Sequence, residues 1–315
     1  MRKPILNLIF ILIGLALLSC DEEVDPKLLP VVSTTEVTSI SYYSAQSGGV
    51  ITADGGYDII ARGVCWSTSQ NPTISLNTKT VDGSGTGSFK SSITGLRSGS
   101  TYYMRAYATN SVGTAYGNVL SFTTAVITVT SATGKVWMDR NLGASRVAIS
   151  STDAEAYGDL YQWGRGTDGH ENRNSQTTFT LTNSDTPDHG KFITVNSGNY
   201  DWRSPQNNNL WLGVNGTNNP CPEGFRIPTT AEWEEEMKSW SNKNSSGAFE
   251  SPLKLPVAGY RYYGSGSLLN VGSFGYYWSG TVLGSYAQYQ YFFSSSAGMS
   301  YSSRTSGFSV RCIKD

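Results

Sequence analysis

Charge is scarce in this chain. Asp, Glu, Lys and Arg make up 15% of its 315 residues, and the formal net charge is −1. There is no Lys/Arg run or basic patch, so nucleic acid is not an expected partner. Histidine is scarcer still. His170 and His189 are the only two, and neither stands in a metal-ligand spacing such as HExxH or Cys-x-x-Cys. His170 lies in Thr167-Asp168-Gly169-His170-Glu171, which reads as solvated loop polarity rather than a cation site. A Gly-x-Ser-x-Gly elbow is missing, as is a phosphate-binding Gly loop followed by Lys. These absences leave no expected catalytic residue, metal site or cofactor; a structural calcium ion is the one weak exception. Long apolar runs and helix-type periodicity are also rare. Gly, Ser and aromatic residues are plentiful instead, with aromatics at 12%. That mixture fits exported, turn-rich β structure.

The longest apolar stretch is at the start. Arg2 and Lys3 precede Ile5 to Leu18, a run with the length of a signal peptide and too short for a comfortable membrane span. It ends in Leu17-Leu18-Ser19-Cys20, which resembles the lipobox of bacterial lipoproteins. The resemblance implies cleavage after residue 19 and a lipid on Cys20, with several acyl chains for stable anchoring. Residues 20–30, opening Asp21-Glu22-Glu23, are too polar to build a core and are expected to be a tether. In some Gram-negative lipoproteins such an acidic start resembles a surface-export signal; in others Asp after the Cys means inner-membrane retention. The extracytoplasmic look of the rest favours an outer-membrane protein facing the cell exterior.

Residues 31–124 read as short strands at regular spacing: 31–37, 49–53, 59–67, 88–93, 101–110 and 118–124. Turn clusters such as Asp54-Gly55-Gly56 separate them. The length fits a β-sandwich with Trp66 in its core. Cys65, alone in an apolar strand, is expected to be a buried small hydrophobe. The run GLRSGSTYYMRAYATNSVGTAYGN (95–118) resembles the end of a fibronectin type III domain. Leu96 and Tyr102 would form its tyrosine corner, and Met104, Ala106 and Ala108 would alternate with Arg105, Tyr107 and Thr109. The resemblance implies a spacer or interaction module.

Residues 125–315 are richer in Trp, Asn and Gly. Thr229, with Glu232 three residues on, makes a capping box after Pro228. Trp233, Met237 and Trp240 then give one apolar helix face, with Glu234, Glu235 and Glu236 placed for the helix dipole. A closing strand sets Phe308, Val310 and Cys312 against Ser309, Arg311 and Ile313. Cys221 and Cys312 are the cysteines left over, and pairing them in an oxidising compartment would close the module. Asp139 and Arg140 are expected to pair internally.

The segments VWMDRNLGA (136–144), GDLYQWGRGTDGHE (158–171), CPEGFRIPTTAEWE (221–234), SPLKLPVAGYR (251–261), YYWSGT (276–281) and GFSVRC (307–312) resemble the Fibrobacter succinogenes major paralogous (FISUMP) domain. That domain looks like a relative of C-type-lectin-like and sulfatase-modifying folds. It implies an α+β module with fixed irregular loops and no established enzymatic activity. The sulfatase-modifying relatives activate oxygen at a close cysteine pair. Here only Cys312 stands in the C-terminal region, and Cys221 is its natural partner. The sugar-binding calcium triplets of C-type lectins are absent too; Ser204-Pro205-Gln206-Asn207 is nearest and lacks the carboxylate.

Residues 276–306 hold six Tyr, nine Ser and three Gly, a mix shared with binding paratopes. The plain alternative is strands with Tyr on one face and Ser on the other. The segment also takes the position of the mutable region in diversified relatives of the fold. The expected architecture is therefore β-rich with two domains: a fibronectin type III-like β-sandwich and an α+β C-type-lectin-like domain. The expected function is a surface-anchored, non-enzymatic adhesion or binding lipoprotein for glycan or protein. Trp211, Tyr262, Tyr286, Tyr289, Tyr291 and Tyr301 are its candidate ligand contacts. The rivals are a sulfatase-modifying-type oxidase or accessory and a structural envelope protein.

Overall fold

A computed structural model describes residues 28–196 and 200–315. The expected signal peptide, Cys20 and most of the expected tether lie outside the described residues. No helix among them is long and apolar enough to cross a membrane.

Seven strands fill residues 31–123: β1 (Val31–Thr34), β2 (Ala45–Ala53), β3 (Ala61–Ser67), β4 (Gly87–Ile93), β5 (Thr101–Thr109), β6 (Thr114–Tyr116) and β7 (Leu120–Thr123). One sheet has the order β1-β2-β4; in the other, β5 lies between β3 and its partners β6 and β7. The alternation expected on β5 is present, with Met104, Ala106 and Ala108 fully buried. They pack with Trp66, Phe89, Ile93 and Phe122 between the two sheets. Tyr107 faces the other way but is buried as well, because a chain segment crosses over it and its hydroxyl donates to the Thr80 carbonyl. Tyr102 closes a tyrosine corner by accepting the Arg97 N–H at 3.0 Å, and Leu96 is buried beside it. Cys65 is a buried free thiol. The strand missed from sequence is β6, three residues long, which the Asn110 side chain sets up by accepting the Val112 and Gly113 N–H groups.

Beyond residue 125 the strands are short. They are β8 (Thr128–Thr130), β9 (Val136–Met138), β10 (Tyr161–Gln162), β11 (Thr177–Thr178), β12 (Phe192–Ile193), β13 (Phe225–Arg226), β14 (Tyr260–Arg261) and β15 (Leu268–Leu269). Three longer ones follow: β16 (Gly275–Leu283), β17 (Tyr286–Phe293) and β18 (Ser296–Ser303); β19 (Gly307–Phe308) and β20 (Ile313–Lys314) come last. β16, β17 and β18 form an antiparallel meander, while β19 and β20 each enter a different small sheet.

Helix α1 (Thr230–Lys238) has the expected capping box between Thr229 and Glu232. Glu232 is also gripped by the Arg226 fork at 2.8 and 2.9 Å, which locks the helix entry to β13. Trp233 and Trp240 pack with Tyr277 and Phe292 of the meander and with Leu253 and Leu255, which follow the short helix α2 (Ser245–Glu250). Glu236 does not serve the dipole as expected. It faces this core, fully buried, because it lies one turn beyond Trp233 and thus on the same helix face.

The pairing expected between Cys221 and Cys312 is present, with Cα atoms 5.9 Å apart across 91 residues. The expected in-out alternation of the last strand is not. Residues 303–313 are buried without a break, Ser309, Arg311 and Ile313 included. Val310 and Cys312 accept the backbone N–H groups of Leu142 and Met138, while Ser309 accepts that of Trp278. The segment has neighbours on every side rather than one.

Replacing both cysteines by alanine is expected to lower unfolding free energy by roughly 4–5 kcal/mol, the loop-closure value for so long a loop. Guanidinium melts of oxidised wild type against the double variant measure it. Superimposable melts would contradict the expectation.

Candidate functional site

The six aromatic candidates do not share one surface. Trp211 is wholly buried, with its indole N–H donated to the Arg165 and Asn218 carbonyls and its ring 5.6 Å from that of Trp163. It is a core residue; the Trp signal alone could not separate core from surface.

The remaining five are tyrosines, and strand alternation divides those of the meander. Tyr289 and Tyr291 lie on one face with Tyr276 and Trp278, their cross-strand partners. Tyr286 and Tyr301 belong to the opposite face, on which Gln288 meets α1 through Thr230 at 2.6 Å. There Tyr286 touches Tyr301 at 5.3 Å and Tyr200 at 4.8 Å between ring centroids. Tyr301 is the most exposed candidate, at 56%. Tyr262 stands apart on the chain after β14, its ring 4.5 Å from Tyr263.

The first face carries a ladder of half-buried rings. Tyr260, Tyr276, Tyr289, Tyr291, Phe293 and Phe274 follow one another at centroid distances of 4.6–6.5 Å. Tyr289 is its inner rung, packed on Phe308 at 4.6 Å. Tyr291 is an outer rung and lies over Gly298 of β18, where a Cβ would come within 3.0 Å of the phenol oxygen. Ser296, Gly298 and Ser300 face this ladder from β18. Tyr and Ser are thus neighbours on one face, not residents of opposite faces as the plain alternative expected.

The Asp168–Glu171 loop corrects another expectation. His170 is not solvated but fully buried. Its Nε2 accepts the Gln162 N–H at 3.0 Å, and Nδ1 meets Asp168 Oδ1 at 2.6 Å. The acceptor role of Nε2 places the proton on Nδ1. Burial pushes the imidazole down to about 4, so it is neutral. Asp168, His170 and Glu171 offer ligand atoms within 4.8 Å of one another. Each is already committed, however: Asp168 to Arg165 and His170, and Glu171 to the Asp168 and Gly169 N–H groups. The Asp139–Arg140 pair is present as expected, two-pronged at 2.9 and 2.7 Å.

The same loop borders a cleft of about 800 Å³ that no sequence signal announced. One wall is the sandwich loop 97–101; the other is built from residues 138–144, Asp159, Tyr161, residues 167–172 and the Cys221 turn. Asp159 is its unusual member. It follows Gly158 (φ +67°), and its carboxylate rests on Gly143 (φ +77°), where a Cβ would lie 2.0 Å from Oδ2. No donor among the described residues reaches that carboxylate. Burial pushes it up to about 6, against the pull of Arg97 and Arg173. Burial also raises Glu171, and Asp159 adds to that shift. Asp159 lies in the segment 158–171 and Gly143 in 136–144, but the resemblance carried by those segments assigned neither a role.

No family model matches the chain, and no curated protein matches it. Among solved structures, the sensor domain of the anti-sigma factor RsgI4 of Pseudobacteroides cellulosolvens is 16% identical. It is matched over 31% of this chain and 96% of that one, with a TM-score of 0.25. The sixth fibronectin type III domain of human fibronectin type III domain containing protein 3 is 23% identical, over 31% and 81%, with a TM-score of 0.22. Titin domains A168–A170 are 18% identical over 31% and 32%, with a TM-score of 0.23. Each of these likenesses covers about a third of the chain. The strand pairing of β1–β7 is the firmer description of that part.

Asp159→Asn tests the burial of the free carboxylate. The folded value of about 6 exceeds the ordinary 3.8, so the folded state binds more protons between the two. The favourable contribution of the protonated form is complete below the lower value and lost as pH rises through the higher one. Asp159→Asn is expected to stabilise the protein by up to about 3 kcal/mol at neutral pH, with the gain vanishing toward pH 4. Thermal melts across that range read it; a pH-independent difference would sink the assignment.

Proposed function

We propose that this is a lipid-anchored outer-membrane protein whose sandwich holds a lectin-like binding module away from the bilayer. Cys20 carries the lipid, residues 20–30 are the tether and residues 31–124 the spacer. Residues 125–315 form a FISUMP-type module with C-type-lectin-like ancestry that recognises glycan or protein without chemistry. The observation that carries this reading is the ladder of half-buried rings beside the Ser/Gly-rich edge strand β18. Rigid rings already ordered by their neighbours offer large contact area at small entropic cost, and their faces suit sugar rings or an apolar protein anchor. Tyr291, Tyr276 and Phe293 replace Trp211 as the central contacts, with Tyr286 and Tyr301 forming a second, smaller patch. The oxidase rival loses ground because Cys312 is spent on Cys221, and the free thiol among the described residues, Cys65, is buried in β3 of the sandwich.

Glycan-array and cell-surface binding by the intact protein, compared with Tyr291→Ala, tests the reading. The variant is expected to keep its melting behaviour and to lose about tenfold or more in affinity, as for a central aromatic contact. Unchanged binding would remove the ladder as the site, and copper-dependent oxygen consumption would favour the rival.

A further inference from the structure

The cleft between the sandwich loop and the Asp159 turn holds two opposite charges that face each other and do not touch. Arg97 stands exposed on the sandwich side, and its guanidinium makes no hydrogen bond or ion pair among the described residues. Asp159 stands half-buried on the other side within electrostatic reach of Arg97 and Arg173, and no donor among the described residues reaches its carboxylate. Both backbones are pinned. The Arg97 N–H is held by the Tyr102 hydroxyl and the Arg97 carbonyl by Thr124 Oγ1. The Asp159 N–H donates to the Leu142 carbonyl, and Gly143 fixes the carboxylate from below. The two anchor points are therefore part of the fold.

An unpaired, half-buried carboxylate destabilises the protein that carries it. Such local violations concentrate where a ligand supplies the missing partner. Glu171, itself buried, brings a second carboxylate to the same wall. Carboxylate oxygens stand at this end, which suits an N–H-bearing ammonium. Arg97 at the other end suits a carboxylate. Between them the walls mix Leu142, Ala144 and Pro222 with polar loop groups, and the volume lies in the range of small-molecule sites.

We propose that this cleft binds a short zwitterionic peptide, its ammonium on Asp159 and its carboxylate on Arg97. This site is separate from the aromatic ladder and does not depend on it.

The probes are glycine, diglycine, triglycine and tetraglycine, which carry only the two end charges at increasing separation. Each is titrated into the purified protein by calorimetry. One length is expected to bind best, since the backbones that carry Arg97 and Asp159 are pinned. N-acetylating that peptide or amidating its carboxylate is expected to weaken it about tenfold or more. In Asp159→Asn the acetylated and free peptides are expected to bind alike; in Arg97→Gln the amide and the free acid are. Asp159→Asn is expected to melt no lower than wild type, so a lost signal there is not misfolding. Tyr291→Ala leaves peptide binding unchanged, which separates this site from the ladder. The proposal is overturned if no length binds at millimolar concentration, or if binding is indifferent to both end-blocking and both substitutions.

Discussion

A backbone carbonyl that leaves a β-ladder must find another donor before it can be buried. In residues 126–313 many of those donors are guanidinium groups. Arg261 donates to the carbonyls of Gly266, Asn172 and Ser175. Arg311 collects those of Leu253 and Met138 together with the Asn141 side chain. Arg304 reaches the Gly284 carbonyl, Asn208 and Asp201. Arg165 takes the Lys191 carbonyl, Gln162 and Asp168. Each planar fork serves several loops at once. Burial costs them some basicity: Arg261 and Arg311 are pushed down to about 10 and still stay charged at neutral pH. Three also lie over aromatic rings, Arg261 on Phe192 at 4.3 Å, Arg304 on Trp163 at 4.7 Å and Arg165 on Trp202 at 5.6 Å.

This arrangement explains how so irregular a chain presents fixed surfaces. The sandwich is held by long ladders and an apolar core between two sheets. The part beyond it has strands of two or three residues, apart from the meander β16–β18. The meander in turn is held on one face by α1 and on the other by Trp278, Phe308 and Tyr289. The outer rings of the ladder inherit their rigidity from these inner ones. The disulfide acts at the same place, because Cys221 borders the cleft while Cys312 lies in the buried run. One covalent link thus ties the cleft wall to the segment that supports the ladder.

Much of the sandwich was legible, because strand alternation and turn residues act locally. Met104, Ala106 and Ala108 read directly as an inward face, and Tyr102 as a corner. The α1 cap and its Trp face were legible for the same reason. What escaped was non-local. Ser303, Arg304, Thr305 and Ser306 look like a solvated loop, yet their burial depends on partners around a hundred residues away in the chain. His170 looked solvated until Gln162 and Asp168 supplied both of its hydrogen bonds. Trp211 and Tyr289 share a residue class with true surface rings, and only packing tells them apart. Asp159 sits in the motif segment 158–171, but its character comes from Gly143 underneath it.

The buried run 303–313 also sets an order of events. During synthesis the chain emerges from its N-terminal side, and β1 to β7 can close on contacts made within residues 31–123. The later part has no such freedom. Trp163, Asn141, Cys221 and Trp278 all wait for residues 303–313 before their neighbourhoods are complete, so almost the whole chain must be synthesised while that core is still open. Apolar surface around the meander is uncovered for all of that time. A chain stopped short of residue 303 would hold a finished sandwich joined to an unfinished, aggregation-prone remainder, not a smaller working module.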